Sequence, residues 1–264
     1  GHLSIGGCDA LELSARFGTP LHVLDETRIR AACRAYRQAA ATHFGPRSRV
    51  VYASKALCTM AVLRIATSEG LGVDVVSGGE LHTALRARVS PADIVFHGNN
   101  KTPRELEEAL SSGVGRIVVD NEEELNRLGV LCTERGCVAD VLFRIKPGVS
   151  AHTHEYVRTG AIDSKFGVAL ENGEAERLLT RASSMPGIRL RGIHCHIGSQ
   201  IFGPDSFVEA ARIMTGFMAD FADRTGAILT ELNLGGGYGV RYVDGDTPDA
   251  PEELFRPVAA AIRE

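Results

Sequence analysis

The feature that most constrains this chain is its alternation of short, nearly continuous apolar runs with longer amphipathic stretches. The runs fall at 21–24, 50–53, 73–76, 94–96, 117–119, 141–145, 193–197 and 229–234 and are rich in β-branched residues. A strand that is apolar at nearly every position is buried on both faces, the condition of a parallel sheet covered by helices. Helical patterning fills the intervals 57–69, 79–86, 103–111, 121–134, 172–183, 205–224 and 251–263. Thr102-Pro103 sets a proline at a first helical position, and Asp120-Asn121 precedes Glu122, Glu123 and Glu124 in a first turn. Repeated β-α units over 264 residues predict an α/β fold of the (β/α)8 TIM-like barrel type, since such barrels use about 250 residues as one domain. One count departs from eight. With 21–24 as a lead-in strand, seven strands remain for the barrel, and no strand follows the last helix at 251–263. Either the lead-in run closes the barrel or the chain stops one strand early.

Composition narrows the function. Twenty-nine Lys+Arg against 33 Asp+Glu give a net charge of −4, so no basic excess points to nucleic acid. No apolar run approaches the roughly 18 residues of a membrane span. The start, Gly1-His2-Leu3-Ser4-Ile5-Gly6-Gly7, has neither the charged nor the apolar region of a secretory signal. The expectation is a soluble, cytoplasmic protein with no nucleic-acid or membrane partner. The six cysteines show no C-x-x-C and no regular spacing, and read as reduced residues of core or helix.

A barrel keeps its chemistry at the C-terminal ends of its strands. Val51, Ala53 and Lys55 share one face at period 2, and an ammonium at a barrel mouth is either paired structurally or an amine nucleophile. Asp74 and Arg144 are charges inside otherwise apolar runs, and an Asp74–Arg144 contact is expected because buried charges are rarely left unpaired. His194-Cys195-His196 places two imidazoles on one strand face; the H-x-H spacing admits a metal-dependent hydrolase, although no matched carboxylate accompanies it. His152-Thr153-His154 is a weaker loop version. Beyond His196 come Gly198 and Ser199, and the next strand runs into Gly235-Gly236-Gly237-Tyr238-Gly239, a run able to expose backbone N–H groups to an anion or simply to make a tight turn. A strand-end lysine, an inward histidine and a phosphate cradle together suit pyridoxal phosphate held as a Schiff base.

Several stretches taken in order carry a resemblance. They are Tyr52-Ala53-Ser54-Lys55-Ala56, the segment Asp74 to Leu81, His97-Gly98-Asn99-Asn100-Lys101, Arg158-Thr159-Gly160, Asp163 to Gly167, His194 to Gln200 and Leu232 to Gly239. Together they resemble the diaminopimelate decarboxylases, pyridoxal-phosphate enzymes of the alanine-racemase-type barrel. The resemblance implies that Lys55 and His196 are catalytic. It also implies that Lys55 carries pyridoxal 5'-phosphate, that His196 stacks on its ring, that Ser199 with Gly235, Gly236 and Gly237 holds its phosphate, and that Asp74 and Arg144 lie near the lysine and ring. No metal belongs to that set. The implied reaction converts meso-diaminopimelate to L-lysine and carbon dioxide, the last step of lysine biosynthesis. The Asn99-Asn100-Lys101 and 159–167 stretches favour this substrate over the D-ornithine, D-lysine or carrier-bound amino acids of sister enzymes. In domain terms, 1–20 would join a β-domain and 21–264 would form an incomplete cofactor-binding barrel. Members of the family carry an eighth strand with a Glu-Pro-Gly-Arg motif and a C-terminal β-domain that completes sites shared across a homodimer; neither is found here. The expectation is negligible carbon dioxide release from these 264 residues alone. A further expectation is that the 147–165 connection moves over the substrate, since it is too long and unpatterned for a plain turn.

Overall fold

The structure, a computed structural model, describes residues 1–149 and 165–264; most of the 147–165 connection, residues 150–164, lies outside the described residues. The chain opens with a two-residue hairpin of β1 (Ser4–Ile5) and β2 (Cys8–Asp9), then α1 (Ala10–Phe17) and α2 (Glu26–Phe44). Alternation begins with β3 (Val51–Ala53), α3 (Met60–Ser68), β4 (Gly72–Val75), α4 (Gly78–Arg86), β5 (Ile94–Phe96), α5 (Pro103–Ser112), β6 (Arg116–Val119), α6 (Glu122–Arg135) and β7 (Ala139–Lys146). It continues with β8 (Val168–Ala169), α7 (Glu174–Ser184), β9 (Ile188–His194), α8 (Asp205–Thr225), β10 (Glu231–Asn233) and α9 (Pro251–Arg263). The sheet runs β10-β9-β7-β6-β5-β4-β3, with β8 alongside β7, and every pairing in it is parallel. Among the described residues the main path therefore holds the seven strands counted from the sequence.

Local signals explain the helices. Thr102 and Glu105 form a reciprocal capping box at the start of α5, with Pro103 at its first position. Asn121 accepts from the Glu124 N–H at the start of α6, and Gly136 ends that helix in the left-handed conformation at φ +61°. Val73, Val75, Ile94, Phe96, Ile117, Val119, Val141 and Phe143 lie in one buried cluster with Leu63, Leu81, Leu106, Leu125 and Leu128 of the covering helices. The alternate residues of the same strands face the other way, into the barrel. At its N-terminal end that interior is ionic: Arg116 Nε donates to Glu231 Oε2 at 2.8 Å, and Asp140 accepts from Arg116 at 3.3 Å and from Arg191 at 3.0 Å.

Two sequence expectations need correction. The run 21–24 forms no strand, and Leu21 and Leu24 stay 39% and 55% exposed. Asp25 follows at once and caps α2 by accepting from the Arg28 N–H, which leaves no length for a ladder. Helices α1 and α2 were also not anticipated. The second of them lies against α9, with Phe44 and Phe255 rings 5.3 Å apart and His43 Nε2 2.6 Å from Glu252 Oε1. Alternation weakened the α2 signal, because arginines on both sides of the stripe Ile29, Cys33, Tyr36, Ala40 dilute its apolar face.

Candidate active site

Each of the seven strands on the main path of the sheet delivers a polar side chain, in the strand or just after it, to the same end. Asp74 stands in β4, Arg144 near the end of β7 and His194 at the end of β9; Arg144, His194 and Asn233 are register partners across β7, β9 and β10. His97 and Asp120 follow β5 and β6 directly. Lys55 does not continue the alternation of β3. It sits in the 3-10 turn Ser54–Ala56, exposed at the rim, while Ser54 is buried and donates to Glu80 Oε2 at 2.9 Å. The same carboxylate oxygen accepts from the Val76 N–H at 2.7 Å, so Glu80 ties the turn bearing Lys55 to the end of β4.

The expected Asp74–Arg144 pair is not formed. Asp74 faces His97, with Oδ2 3.6 Å from Nε2, and Arg144 faces Asp120, with Nη1 3.7 Å from Oδ1. The guanidinium also lies 4.2 Å above the Phe166 ring, a cation–π contact that suits a buried planar cation. Adjacent strand tips meet before more distant ones, and Asp120 stands on the strand beside Arg144, whereas Asp74 lies two strands further along. His97 and Asp120 were thus missed as site residues. Both lie two positions beyond an inward strand residue, Val95 and Val118, so period 2 along β5 and β6 extends to them.

Burial dominates the electrostatics. It pushes the Asp74 carboxyl up to about 8, against the pull of Lys55 and with help from Glu80. It drives His97 and His194 well below the ordinary histidine range; their rings meet edge-on at 4.5 Å, and Lys101 depresses His97 further. His196 is lowered to about 4 by burial and then by Lys55, although the Gly236 backbone hydrogen-bonds its ring. At neutral pH the interior therefore presents neutral imidazoles and a protonated carboxyl beside the fixed cation of Arg144. Cys195, on the opposite face, is fully buried and raised to about 12 by burial, which removes it as a nucleophile.

The segments after β9 and β10 run side by side. The Cys195 N–H donates to Asn233 O at 2.9 Å and the Ile201 N–H to Gly237 O at 2.9 Å. They approach so closely that a Cβ at Gly235 would stand 2.5 Å from Cys195 O, and one at Gly237, whose φ is +98°, 1.9 Å from Gly198 O. A Cβ at Gly236 would meet open space. The Gly235 N–H is taken by Asn233 Oδ1 at 2.8 Å, whereas the Gly236 and Gly237 N–H groups have no hydrogen bond among the described residues. Four buried polar atoms around the strand tips, Asp74 Oδ1, His97 Nε2, Asp120 Oδ1 and His194 Nδ1, likewise lack a hydrogen-bond partner among the described residues. Buried polar atoms left unpaired are costly, and such a group at a barrel mouth is completed by a bound polar molecule or water. The residues fit pyridoxal phosphate: an amine at the rim, imidazoles below, and a glycine cradle with spare N–H groups for an anion. Among the described residues no three His, Cys, Asp or Glu side chains converge as a metal-holding group, so His194 and His196 have no third donor.

Residues 26–264 match the model of the pyridoxal-binding domain of pyridoxal-dependent decarboxylases. The diaminopimelate decarboxylase of Bacillus subtilis is 46% identical over 264 residues, which are 100% of this chain and 60% of that protein. The crystal structure of diaminopimelate decarboxylase from M. jannaschii in complex with L-lysine superposes with a TM-score of 0.92 at 34% identity, covering 100% of this chain and 61% of that one. A lysine/ornithine decarboxylase from Vibrio vulnificus complexed with putrescine gives a TM-score of 0.78 at 25% identity over 96% of this chain and 62% of that one. The chain thus spans about 60% of the length of the curated relatives it matches.

Proposed function

The chain belongs to the pyridoxal-dependent decarboxylases, and we propose that it is the cofactor-binding barrel of an enzyme that decarboxylates meso-diaminopimelate to L-lysine and carbon dioxide. The observation that carries this reading is the convergence at one sheet end of Lys55, the largely buried Asp74–His97–His194 group and the open Gly236 cradle. Lys55 would hold the cofactor covalently, Gly236 and Gly237 with Ser199 would bind its phosphate, and His196 would lie against its ring. When bound, pyridoxal phosphate supplies an electron sink for the carbanion left by departing carbon dioxide. The protein's part is orientation and charge. Arg144 keeps a fixed positive charge that its Asp120 partner and Phe166 hold in place. His97 and His194 stay neutral and so keep proton donors and acceptors without adding cations. The active enzyme would be a cytoplasmic homodimer in which further residues beyond those of this chain complete the site. Diaminopimelate is preferred over D-ornithine and D-lysine because curated relatives 44% and 46% identical to this chain carry that name, whereas the lysine/ornithine enzyme is 25% identical.

The test begins with the cofactor. The purified chain mixed with pyridoxal phosphate should give a visible absorbance band that borohydride bleaches into a covalent adduct on Lys55, and Lys55→Ala should lose the adduct. An adduct retained by Lys55→Ala, or mapped to Lys101, Lys146 or Lys165, refutes the assignment. Substrate preference is then read in the full-length enzyme by carbon dioxide release from meso-diaminopimelate, D-ornithine and D-lysine, and release from either of the latter at a higher kcat/KM overturns it.

A further inference from the structure

Lys101 sits in a stretch that resembles the substrate-linked segments of the family, yet its side chain is 1% exposed and turned away from the rim. Its ammonium donates to Gly98 O at 2.6 Å and Val118 O at 2.8 Å, and Nζ lies 2.7 Å from Glu124 Oε1. Two protons thus meet backbone carbonyls, and the charge is paired with the Glu124 carboxylate. The acceptors belong to three segments that lead to the site. Gly98 follows His97, Val118 lies two residues before Asp120, and Glu124 stands in the first turn of α6. The other oxygen of Glu124 accepts from the Asp120 N–H at 3.3 Å. Asp120 in turn accepts from the Gly167 N–H at 3.0 Å and faces Arg144, which packs on Phe166. A Cβ at Gly167 would stand 2.7 Å from Arg144 O, so this backbone and Arg144 share one tightly fitted space.

We propose that Lys101 is a positioning residue: from behind the strand tips it fixes Asp120 and, through Asp120, Arg144 and the backbone at Gly167. Its bearing on the reaction rests on the reading that these strand tips hold pyridoxal phosphate. A lysine that only filled the core would satisfy its protons on local carbonyls. Here the contacts join the ends of β5 and β6 to α6, and the chain of contacts ends on the cation that faces the site. Removing Lys101 frees Asp120 to turn, so Arg144 loses its fixed direction without being touched.

The experiment uses two readouts on the purified chain and its variants Lys101→Met, Asp120→Asn and Lys101→Met with Glu124→Gln. The last removes both buried charges together, which guards against unfolding by an unpaired carboxylate. The first readout is amide hydrogen exchange at Gly167 without cofactor. Both Lys101 variants should exchange about tenfold faster there, in the range of couplings between residues in contact, while amides in α3 and α8 keep their protection. The second is the Kd for pyridoxal phosphate from its visible band. Lys101→Met/Glu124→Gln and Asp120→Asn should each weaken binding, and combining them should weaken it no further than the worse of the two. Unchanged Gly167 exchange overturns the proposal, as do additive effects on Kd or a drop in thermal stability with unchanged Kd. If the parent chain gives no borohydride-sensitive band, the cofactor reading fails instead, and Gly167 exchange alone still decides the link between Lys101 and Asp120.

Discussion

Asparagine in place of Asp74 separates what the buried carboxyl costs the fold from what it gives the site. Asp74 is raised from the ordinary 3.8 to about 8, chiefly by burial, and its side chain is 20% exposed. At about 1.4 kcal/mol per pK unit, holding the proton at pH 7 costs the cofactor-free fold at most about 4 kcal/mol. The folded chain binds this proton more tightly than the unfolded chain does. Its stabilising contribution is therefore complete below about pH 4 and is lost as pH rises through about 8. His97, His194 and His196 are depressed bases and act in the opposite sense, losing stability as pH falls below the ordinary 6.5. Between pH 6.5 and 8 these histidines still regain about 0.4 kcal/mol each as the unfolded chain gives up its protons, and burial raises Glu124 as well, so Asp74 is isolated by the difference between the parent and Asp74→Asn. Across that interval the parent chain should lose about 2 kcal/mol of unfolding free energy relative to Asp74→Asn, which exceeds it by a few kcal/mol at pH 8. Urea unfolding of the cofactor-free chains at three pH values in that interval measures this directly. Parent and Asn curves that run parallel across the interval refute the claim that Asp74 is buried in its acid form.

Two further outcomes test the cradle and the core. Gly236→Val adds its side chain where the structure shows open space, so unfolding free energy should change by less than about 0.5 kcal/mol while pyridoxal phosphate binding weakens; Gly237→Ala places a Cβ 1.9 Å from Gly198 O and should destabilise the chain as well. Calorimetry and cofactor titration of the pair distinguish a cradle from a plain turn, and equal cofactor affinity in Gly236→Val removes the cradle. Phe221 is fully buried on α8, so Phe221→Ala should lower unfolding free energy by about 3–5 kcal/mol.

Strands buried on both faces left the plainest trace in the sequence, because a short β-branched run with no polar face, such as 94–96 or 117–119, suits little besides a strand covered on both sides. The number of barrel strands followed from them. Helix α2 was hidden because its apolar stripe is narrow and interrupted by arginines, and its packing partner α9 lies at the other end of the sequence. In the site, residues announced by position could be read: Lys55 after a strand, Gly235 to Gly237 after another. Pairings could not. Asp74 prefers His97 and Arg144 prefers Asp120 because sheet order and twist decide which tips meet, and neither is a property of spacing along one strand. The burial of Lys101 was not legible for a related reason, since nothing in Asn99-Asn100-Lys101 says that its last residue turns inward.

The seam between α2 and α9 has a consequence for kinetics. Elsewhere each strand joins a neighbour close in sequence, as when Val51 pairs with Gly72. At the seam His43 meets Glu252 across 209 positions, and the Arg263 guanidinium reaches His43 O across 220. Bringing such distant segments together costs about 5 kcal/mol of chain entropy, roughly 2 kcal/mol more than a strand pair some twenty residues apart. The seam therefore forms after the sheet it encloses, once intervening pairs have shortened the effective loop. Weakening Tyr36, Phe44 or Phe255 would then leave the folding rate nearly constant and fall almost wholly on unfolding. The lifetime of the native chain is set where α2 and α9 are clasped, and the clasp closes on Tyr238, the residue next to the Gly235–Gly237 turn.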